Sequence, residues 1–395
     1  MTNRRKTGKK RTICVITGNQ TDYTRFRSLM RAVSEYPNLK LQTIVTGAHL
    51  LMRHGHTVDQ ILKDGFRVDE RIHQIVEGEG PVSMARSIGL GVCDLSTTLD
   101  RLRPDVVFVT GDRFEALSAA VAASVMNFHV AHIQGGEVTG SIDESIRHAI
   151  TKLSHIHFPS TESARARVIS LGEDPNYVFN VGCPGTDLVL ETKILDRKGL
   201  DRAISAMSKG DAISQNSQPF LLMFQHPVTT QFEDQKRQIL STLEAVRRTK
   251  MMVICLWPNV DAGSERIVQE IRRSIRTSQT NGRFLSLSRL SPDLFINLIK
   301  HTTCMVGNSS SGIRESCYTG TPVVNVGIRQ QGRERGRNVI DAPNDADRIH
   351  QAILRQLKNG PYQPDPIYGD GNAGKKMAAI ISELDLPGIQ KAIRY

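Results

Sequence analysis

Short apolar runs recur along this chain, each followed by a small polar cluster and then a helical pattern. That alternation is the strongest constraint on the fold. Ile13–Thr17, Leu41–Thr46, Val106–Thr110 and Val130–Gln134 read as strands, with helices predicted over about 23–36, 114–126 and 143–154. A β-α-β-α rhythm points to parallel strands, because each return to the same end of a sheet needs a crossover. A second series starts at Phe220–Phe224 and continues through Met252–Leu256, Phe284–Leu287, Cys304–Val306 and Val323–Val326. Between the two lies Asp187–Gln218, rich in charge and ending in the polar stretch Ser214–Gln218. The expectation is an α/β protein with one domain over 12–190 and a second over 215–375. Two such domains leave a cleft, and ligands of open parallel sheets bind beyond the carboxyl ends of the strands.

Length and charge narrow the function. A chain of 395 residues suits two or three domains and needs no disulfide or structural metal for stability. The net charge of +11 raises the question of nucleic acid. Six of the cations, Arg4, Arg5, Lys6, Lys9, Lys10 and Arg11, precede the first apolar run, so residues 1–11 read as a solvated, disordered basic arm. Aromatic content of 5% offers little stacking surface to a single strand, so no nucleic-acid partner is expected. The six cysteines are scattered, and Cys14, Cys255 and Cys304 lie inside strands, as in a reduced, cytoplasmic protein. No signal peptide is read at the basic start. The uncharged stretch 116–136 is too polar for a membrane span, so no membrane partner is expected.

The chemistry sits after the strands. Gly18-Asn19-Gln20-Thr21-Asp22 follows the first, and it is not the G-x-G-x-x-G of a dinucleotide site, so no nicotinamide cofactor is expected. Gly111-Asp112-Arg113 follows Val106–Thr110, and Gly135-Gly136-Glu137 follows Val130–Gln134. Asp143 and Glu144 then open a helix, with Arg147 one turn on. Asp112 and Asp143 could each be helix caps. Their convergence on one sheet edge favours an acid/base cluster, in which crowding raises some carboxyl pKa values. In the second series, His226 and Asn259 follow strands. Asn308-Ser309-Ser310-Ser311-Gly312 leads into a helix carrying Glu315. Small hydroxyl residues at a helix N-terminus suit a diphosphate, and Glu315 is within reach of ribose hydroxyls. The run Arg329, Arg333, Arg335, Arg337 reads either as a solvated loop or as a charge clamp. The His54/His56 and His155/His157 pairs, and His148, lack zinc spacing and read as structural, so no metal is expected.

These segments together resemble the hydrolysing UDP-N-acetylglucosamine 2-epimerases of sialic acid and related nonulosonate synthesis. The resemblance runs from about Arg11 to Ala342. It is carried by GDRFEA at 111–116, GGEVTGSIDESIRHAITKLSHIHF at 135–158, QHPVTT at 225–230, GNSSSGIRE at 307–315 and PVVNVGIRQQGRERGRNVI at 322–340. It implies two Rossmann-like doubly wound domains facing a cleft, the GT-B glycosyltransferase-like fold, with a C-terminal helix over 376–395 crossing back to the first domain. It implies a UDP-N-acetylglucosamine or 2,4-diacetamido UDP-sugar substrate, UDP and a free 2-epimeric sugar such as N-acetylmannosamine as products, and no cofactor. The route it implies is elimination of UDP to a glycal, then water addition. By resemblance Asp112, Glu137, Asp143, Glu144 and His226 are catalytic. Gln20, Arg25, Arg113, Asn259, Ser309, Ser310, Glu315 and Arg329 contact substrate or nucleotide. Gln20 stands where the family generally has a basic residue, Arg25 keeps a cation nearby, and the loop before Asp143 is one residue shorter than usual. A homodimer or homotetramer is also implied. A glycosyltransferase of the same fold and a nucleotide-sugar-binding protein with reduced catalysis are the competing readings.

Overall fold

The structure is a computed structural model that describes residues 10–78, 80–207, 218–259, 261–278, 284–287 and 290–394. Most of the basic arm, residues 1–9, and residues 214–217 of the polar stretch lie outside the described residues.

Two parallel six-stranded sheets form the molecule. The first contains β1 (Arg11–Thr17), β2 (Leu39–Thr46), β3 (Glu70–Ile72), β4 (Val106–Thr110), β5 (His129–Ile133) and β6 (Ile156–Phe158). The second contains β7 (Phe220–Phe224), β8 (Met252–Leu256), β9 (Phe284–Leu287), β10 (Cys304–Gly307), β11 (Val323–Val326) and β12 (Val339–Ala342). Their orders are β3-β2-β1-β4-β5-β6 and β12-β11-β10-β7-β8-β9. Counted from the start of each half, both are the doubly wound 3-2-1-4-5-6 order. The central strands are apolar on both faces, as strands covered by helices on both sides must be. Val15, Phe26, Leu29 and Phe108 pack on one face of the first sheet, and Cys14, Val107, Ala119 and Ile150 on the other. The second sheet is buried in the same way.

The predicted strands and helices form within two or three residues of their expected ends. Three of the four edge strands, β3, β6 and β12, and the long helix Pro81–Leu102 are not among the predictions and add to these elements. The last helix runs over Ala373–Glu383 instead of starting at 376, and 384–394 are not helical, because Pro387 and Gly388 interrupt the pattern. This helix does lie against the first half. Met377 and Ile381 join the core under β1, and Ala373 and Gly374 donate their N–H groups to Asp187 at 3.0 and 2.7 Å. The tail beyond it is tied to the β5–β6 edge by His129 on the Pro387 carbonyl and His155 on the Ile389 carbonyl. Among the described residues no helix is long and apolar enough to cross a membrane.

Candidate active site

In each sheet the strand order reverses between two central strands, β1/β4 in the first and β7/β10 in the second. Helices depart to opposite faces there, which opens a crevice. The sequence puts short turns at these four strand ends. Gly307, ending β10, has φ +138, and a Cβ on it would meet the Phe224 carbonyl oxygen at 2.2 Å, so only glycine fits. Asn308 then ties the β10 turn to the β7 turn: it accepts from the His226 N–H at 2.6 Å and donates to the His226 carbonyl at 2.9 Å. On the first half, Asn19 caps the helix Gln20–Glu35 by accepting from the Asp22 N–H at 3.1 Å.

A polar cavity lies between the two crevices. The first half lines it with Asp22, Arg25, Asp112, Arg113 and Asp143, and the second with His226, Asn259, Ser309, Ser310, Arg329 and Arg333. A more apolar cavity adjoins it and shares Thr21 and Asn259. Its walls include Phe224, Leu256, Leu290 and Phe295, with Gln20, Ser311 and Glu315 as polar members. An apolar slot with a carboxylate in its wall, opening into a cationic chamber, has the shape and chemistry of a nucleoside diphosphate site. Both Gln20 amide atoms and Glu315 Oε2 are buried without a hydrogen-bond partner there. Buried polar groups are normally paired, so these atoms can serve as ligand contacts.

Arginines govern the carboxylates. Asp112 bonds Arg147, with Arg333 at 3.9 Å. Burial opposes its ionisation, but Arg147, Arg333 and Arg25 outweigh burial and hold the carboxyl well below the usual range. Glu137 is buried between Arg314 and Arg333, the latter at 3.3 Å. There too burial is outweighed, and the carboxyl is held down at about 2. Asp143 goes the other way: burial, then the Asp112 charge, raise it despite Arg329 at 3.3 Å. The expected mutual crowding therefore operates at Asp143. At Asp112 and Glu137 interleaved guanidiniums reverse it. Neither Asp112 nor Asp143 caps a helix; Arg113 and Ile142 occupy the cap positions of Phe114–Val125 and Asp143–Leu153, without side-chain bonds.

His226 is neutral, because burial and then the nearby Arg329 and Arg113 push its pKa well down. Its Nδ1 accepts from the Asn259 N–H at 3.1 Å, so the proton sits on Nε2 and can be donated to a ligand. Glu137 and Glu144 stand outside the lining of both cavities. Glu144 accepts from the Thr139 N–H at 2.6 Å and pairs with Arg147 and His148, so it braces the loop before Asp143. The arginine run is divided: Arg333 is buried against the carboxylates, Arg335 bonds Asp341, and Arg337 is exposed. Of the paired histidines, His157 bonds Glu173, His155 the Ile389 carbonyl and His56 Asp59, each at 3.1 Å. Sequence reasoning passed over Asp22 and Arg314. The signal for Asp22 was its place in the first turn after β1. Arg314 precedes Glu315 in a quoted segment, but nothing local marks it as Glu137's partner, 177 residues away.

The UDP-N-acetylglucosamine 2-epimerase family pattern matches residues 31–382. A UDP-N,N'-diacetylbacillosamine 2-epimerase (hydrolyzing) of Legionella pneumophila is 33% identical over 376 residues, covering 95% of this chain and 97% of the relative. A UDP-N-acetylglucosamine 2-epimerase of Neisseria meningitidis serogroup B is 30% identical over 389 residues, 98% of each chain. The crystal structure of the Methanocaldococcus jannaschii UDP-GlcNAc 2-epimerase in complex with UDP-GlcNAc and UDP has the same fold, with a TM-score of 0.76 at 17% identity, covering 94% of this chain and 99% of that one. With a family match over most of its length and relatives aligned nearly end to end, the chain belongs to the UDP-N-acetylglucosamine 2-epimerase family of enzymes.

Proposed function

We propose that this enzyme is a hydrolysing 2-epimerase of a UDP-linked N-acetylamino sugar, UDP-N-acetylglucosamine or its 2,4-diacetamido relative. It releases UDP and the free 2-epimeric sugar. The observation that carries this reading is the juxtaposition of a carboxyl pair of opposite protonation tendency, Asp112 and Asp143, with a nucleotide-shaped slot. The hydrogen on carbon 2 has no adjacent carbonyl, so enolisation is unavailable. Loss of UDP from carbon 1 with removal of that hydrogen gives a glycal, and water addition from the other configuration completes the change. Asp143, whose carboxyl is raised by burial and by the Asp112 charge, is the group that takes and returns the proton. Asp112, fixed as an anion, stabilises positive charge developing at carbon 1. His226 Nε2–H, Ser309, Ser310 and Arg329 receive the leaving diphosphate. Glu137 and Glu144 act on this centre through Arg147, Arg314 and Arg333. The domains contributing these groups are the two α/β halves, working as a homo-oligomer in the cytoplasm.

A proton NMR time course in deuterated water tests the reading. UDP-N-acetylglucosamine should yield UDP and N-acetylmannosamine deuterated at carbon 2. If that substrate is inert, the 2,4-diacetamido UDP-sugar should give the corresponding products. Release of UDP only in the presence of an acceptor would mean a glycosyltransferase. UDP binding without turnover of either sugar nucleotide would mean a binding protein.

A further inference from the structure

Among the described residues, Asp22 is the one carboxylate lining the polar cavity with no cation bonded to it. It is buried, and its Oδ2 accepts from Asn19 Nδ2 at 2.8 Å and from the Gly18 N–H at 3.3 Å. Its Oδ1 is buried with no hydrogen-bond partner among the described residues. The charged groups facing it are Glu115 from the helix Phe114–Val125, Arg113 at that helix's start, and Arg25 on its own helix. Arg113 is already engaged, by Glu115 at 3.1 and 3.2 Å and by Asp261. Gly18 brings Glu115 close: a Cβ on it would stand 2.8 Å from the Glu115 side chain. Asp22 thus lines the polar cavity together with Thr21, Ser309 and Ser310, and the buried Glu115 lies close enough for its charge to act on it.

We propose that Asp22 binds the diphosphate as a neutral carboxylic acid, donating its O–H to a phosphate oxygen of the nucleotide. The inference rests on the UDP-sugar reading above. An ionised, buried Asp22 would face an anion within the same cavity, and that repulsion is removed by one proton taken from solvent. The free protein is already poised for it: burial, then Glu115, lift the Asp22 carboxyl to about 7 against Arg25 and Arg113. The unpartnered Oδ1 is the atom left to carry the proton, because Oδ2 is occupied as an acceptor. As the bond from carbon 1 to the leaving oxygen breaks, charge gathers on the terminal phosphate, and this hydrogen bond strengthens without a full proton transfer.

Calorimetric titration of the full chain with UDP, at about pH 8 in buffers of different ionisation enthalpy, tests the proposal. UDP is fully ionised there, and the wild type should take up to about one proton per UDP bound. Asp22→Asn, which keeps an N–H donor in place, should take up less by that amount. It should bind UDP within several-fold of wild type at about pH 6.5, and lose the weakening that wild type shows above neutrality. Equal proton uptake and equal pH dependence in the two proteins would overturn the proposal while leaving UDP recognition standing. If wild type binds no UDP, the proposal falls together with the nucleotide reading. Glu115→Gln gives an independent check should Asp22→Asn fail to fold. Without the neighbouring charge Asp22 ionises at lower pH in the free protein, so proton uptake at about pH 6 should rise above wild type. No change in that variant would overturn the proposal as well.

Discussion

The two halves are built on one plan and carry different chemistry. Both sheets have the 3-2-1-4-5-6 order, and both place their polar turns at the strand ends flanking the reversal. Each half contributes two arginines to the shared cavity, but its carboxylates, Asp22, Asp112 and Asp143, come from the first, while the second adds His226, Asn259 and two serines. The plan decides where a ligand can sit, and the turn sequences decide what is done to it. Ion pairs of both senses tie the halves together. Arg314 and Arg333 reach Glu137 and Arg329 reaches Asp143, while Arg113 and Arg27 of the first half reach Asp261 and Asp293 of the second. At Gly140 the loops meet backbone to backbone, its N–H donating to the Arg329 carbonyl at 3.2 Å. A Cβ there would stand 2.0 Å from the Ile328 carbonyl oxygen.

If the division is real, mutations in the two halves should fail differently. Asp143→Asn should lower turnover by roughly 10²–10⁴-fold, the usual loss for a general acid–base group. UDP affinity should stay within a few-fold, since His226, Ser309, Ser310 and Arg329 of the other half are the groups proposed to receive the diphosphate. Calorimetry with UDP alongside steady-state kinetics separates the two quantities. Loss of UDP binding in that variant would break the comparison at its strongest point.

The bridging arginines offer the next largest effect, on stability. Arg314→Met leaves Glu137 buried and short of its main partner, and breaking one side of a buried pair costs about 3–5 kcal/mol. Acid unfolding carries the same signature. Glu137 is held at about 2, below its ordinary 4.5, so its contribution is present above 4.5 and disappears as pH falls from there through 2. Thermal unfolding scans across that window should show wild type losing stability that Arg314→Met lacks throughout. Parallel curves would mean that Arg333 and Arg147 hold Glu137 unaided.

A smaller effect is expected at the serine loop. Ser310→Ala removes one hydroxyl bond to a charged phosphate, about 1.5–3 kcal/mol or roughly 10–150-fold in UDP affinity. The NMR rate at saturating substrate should change less than affinity does. A fall in saturated turnover with unchanged UDP affinity would place the reacting sugar, not the diphosphate, at this loop.

How much of this was legible beforehand differs between the two levels. The strand-helix alternation set both sheets, because fully buried strands such as Val106–Thr110 carry an unbroken apolar run. The short edge strands Glu70–Ile72 and Ile156–Phe158 escaped, being three residues each and partly polar, held by their neighbours and not by their own pattern. Local position also identified which turns would share a cavity, from Asp112 to Ser310. It could not say that Glu137 is clamped from across the cleft by Arg314, since that pairing exists only once both halves have folded. Nor could it foresee that Glu144 turns towards Thr139. Asp22 escaped for a different reason: a first-turn aspartate looks like an ordinary stabiliser of the helix dipole, and only its burial beside Glu115 gives it another character.

The finest test of the comparison uses a matched pair of helix caps, one in each half. Asn19 caps Gln20–Glu35 by accepting from Asp22 N–H at 3.1 Å, and Ser291 caps Pro292–His301 by accepting from Leu294 N–H at 3.2 Å. Both line the nucleotide slot. As caps they are equivalent, and Asn19→Ala and Ser291→Ala should each cost about 1 kcal/mol in denaturant unfolding. They differ in one bond: Asn19 also donates to Asp22 Oδ2, and that bond favours the ionised carboxyl. Its loss should raise the Asp22 pKa further, so Asn19→Ala should hold its UDP affinity to higher pH than wild type. Ser291→Ala should follow the wild-type pH profile. Equal stability costs with divergent profiles would show that the first half tunes protonation while the second supplies binding surface. Identical profiles would leave Asn19 a cap like any other and confine that tuning to Glu115 and burial.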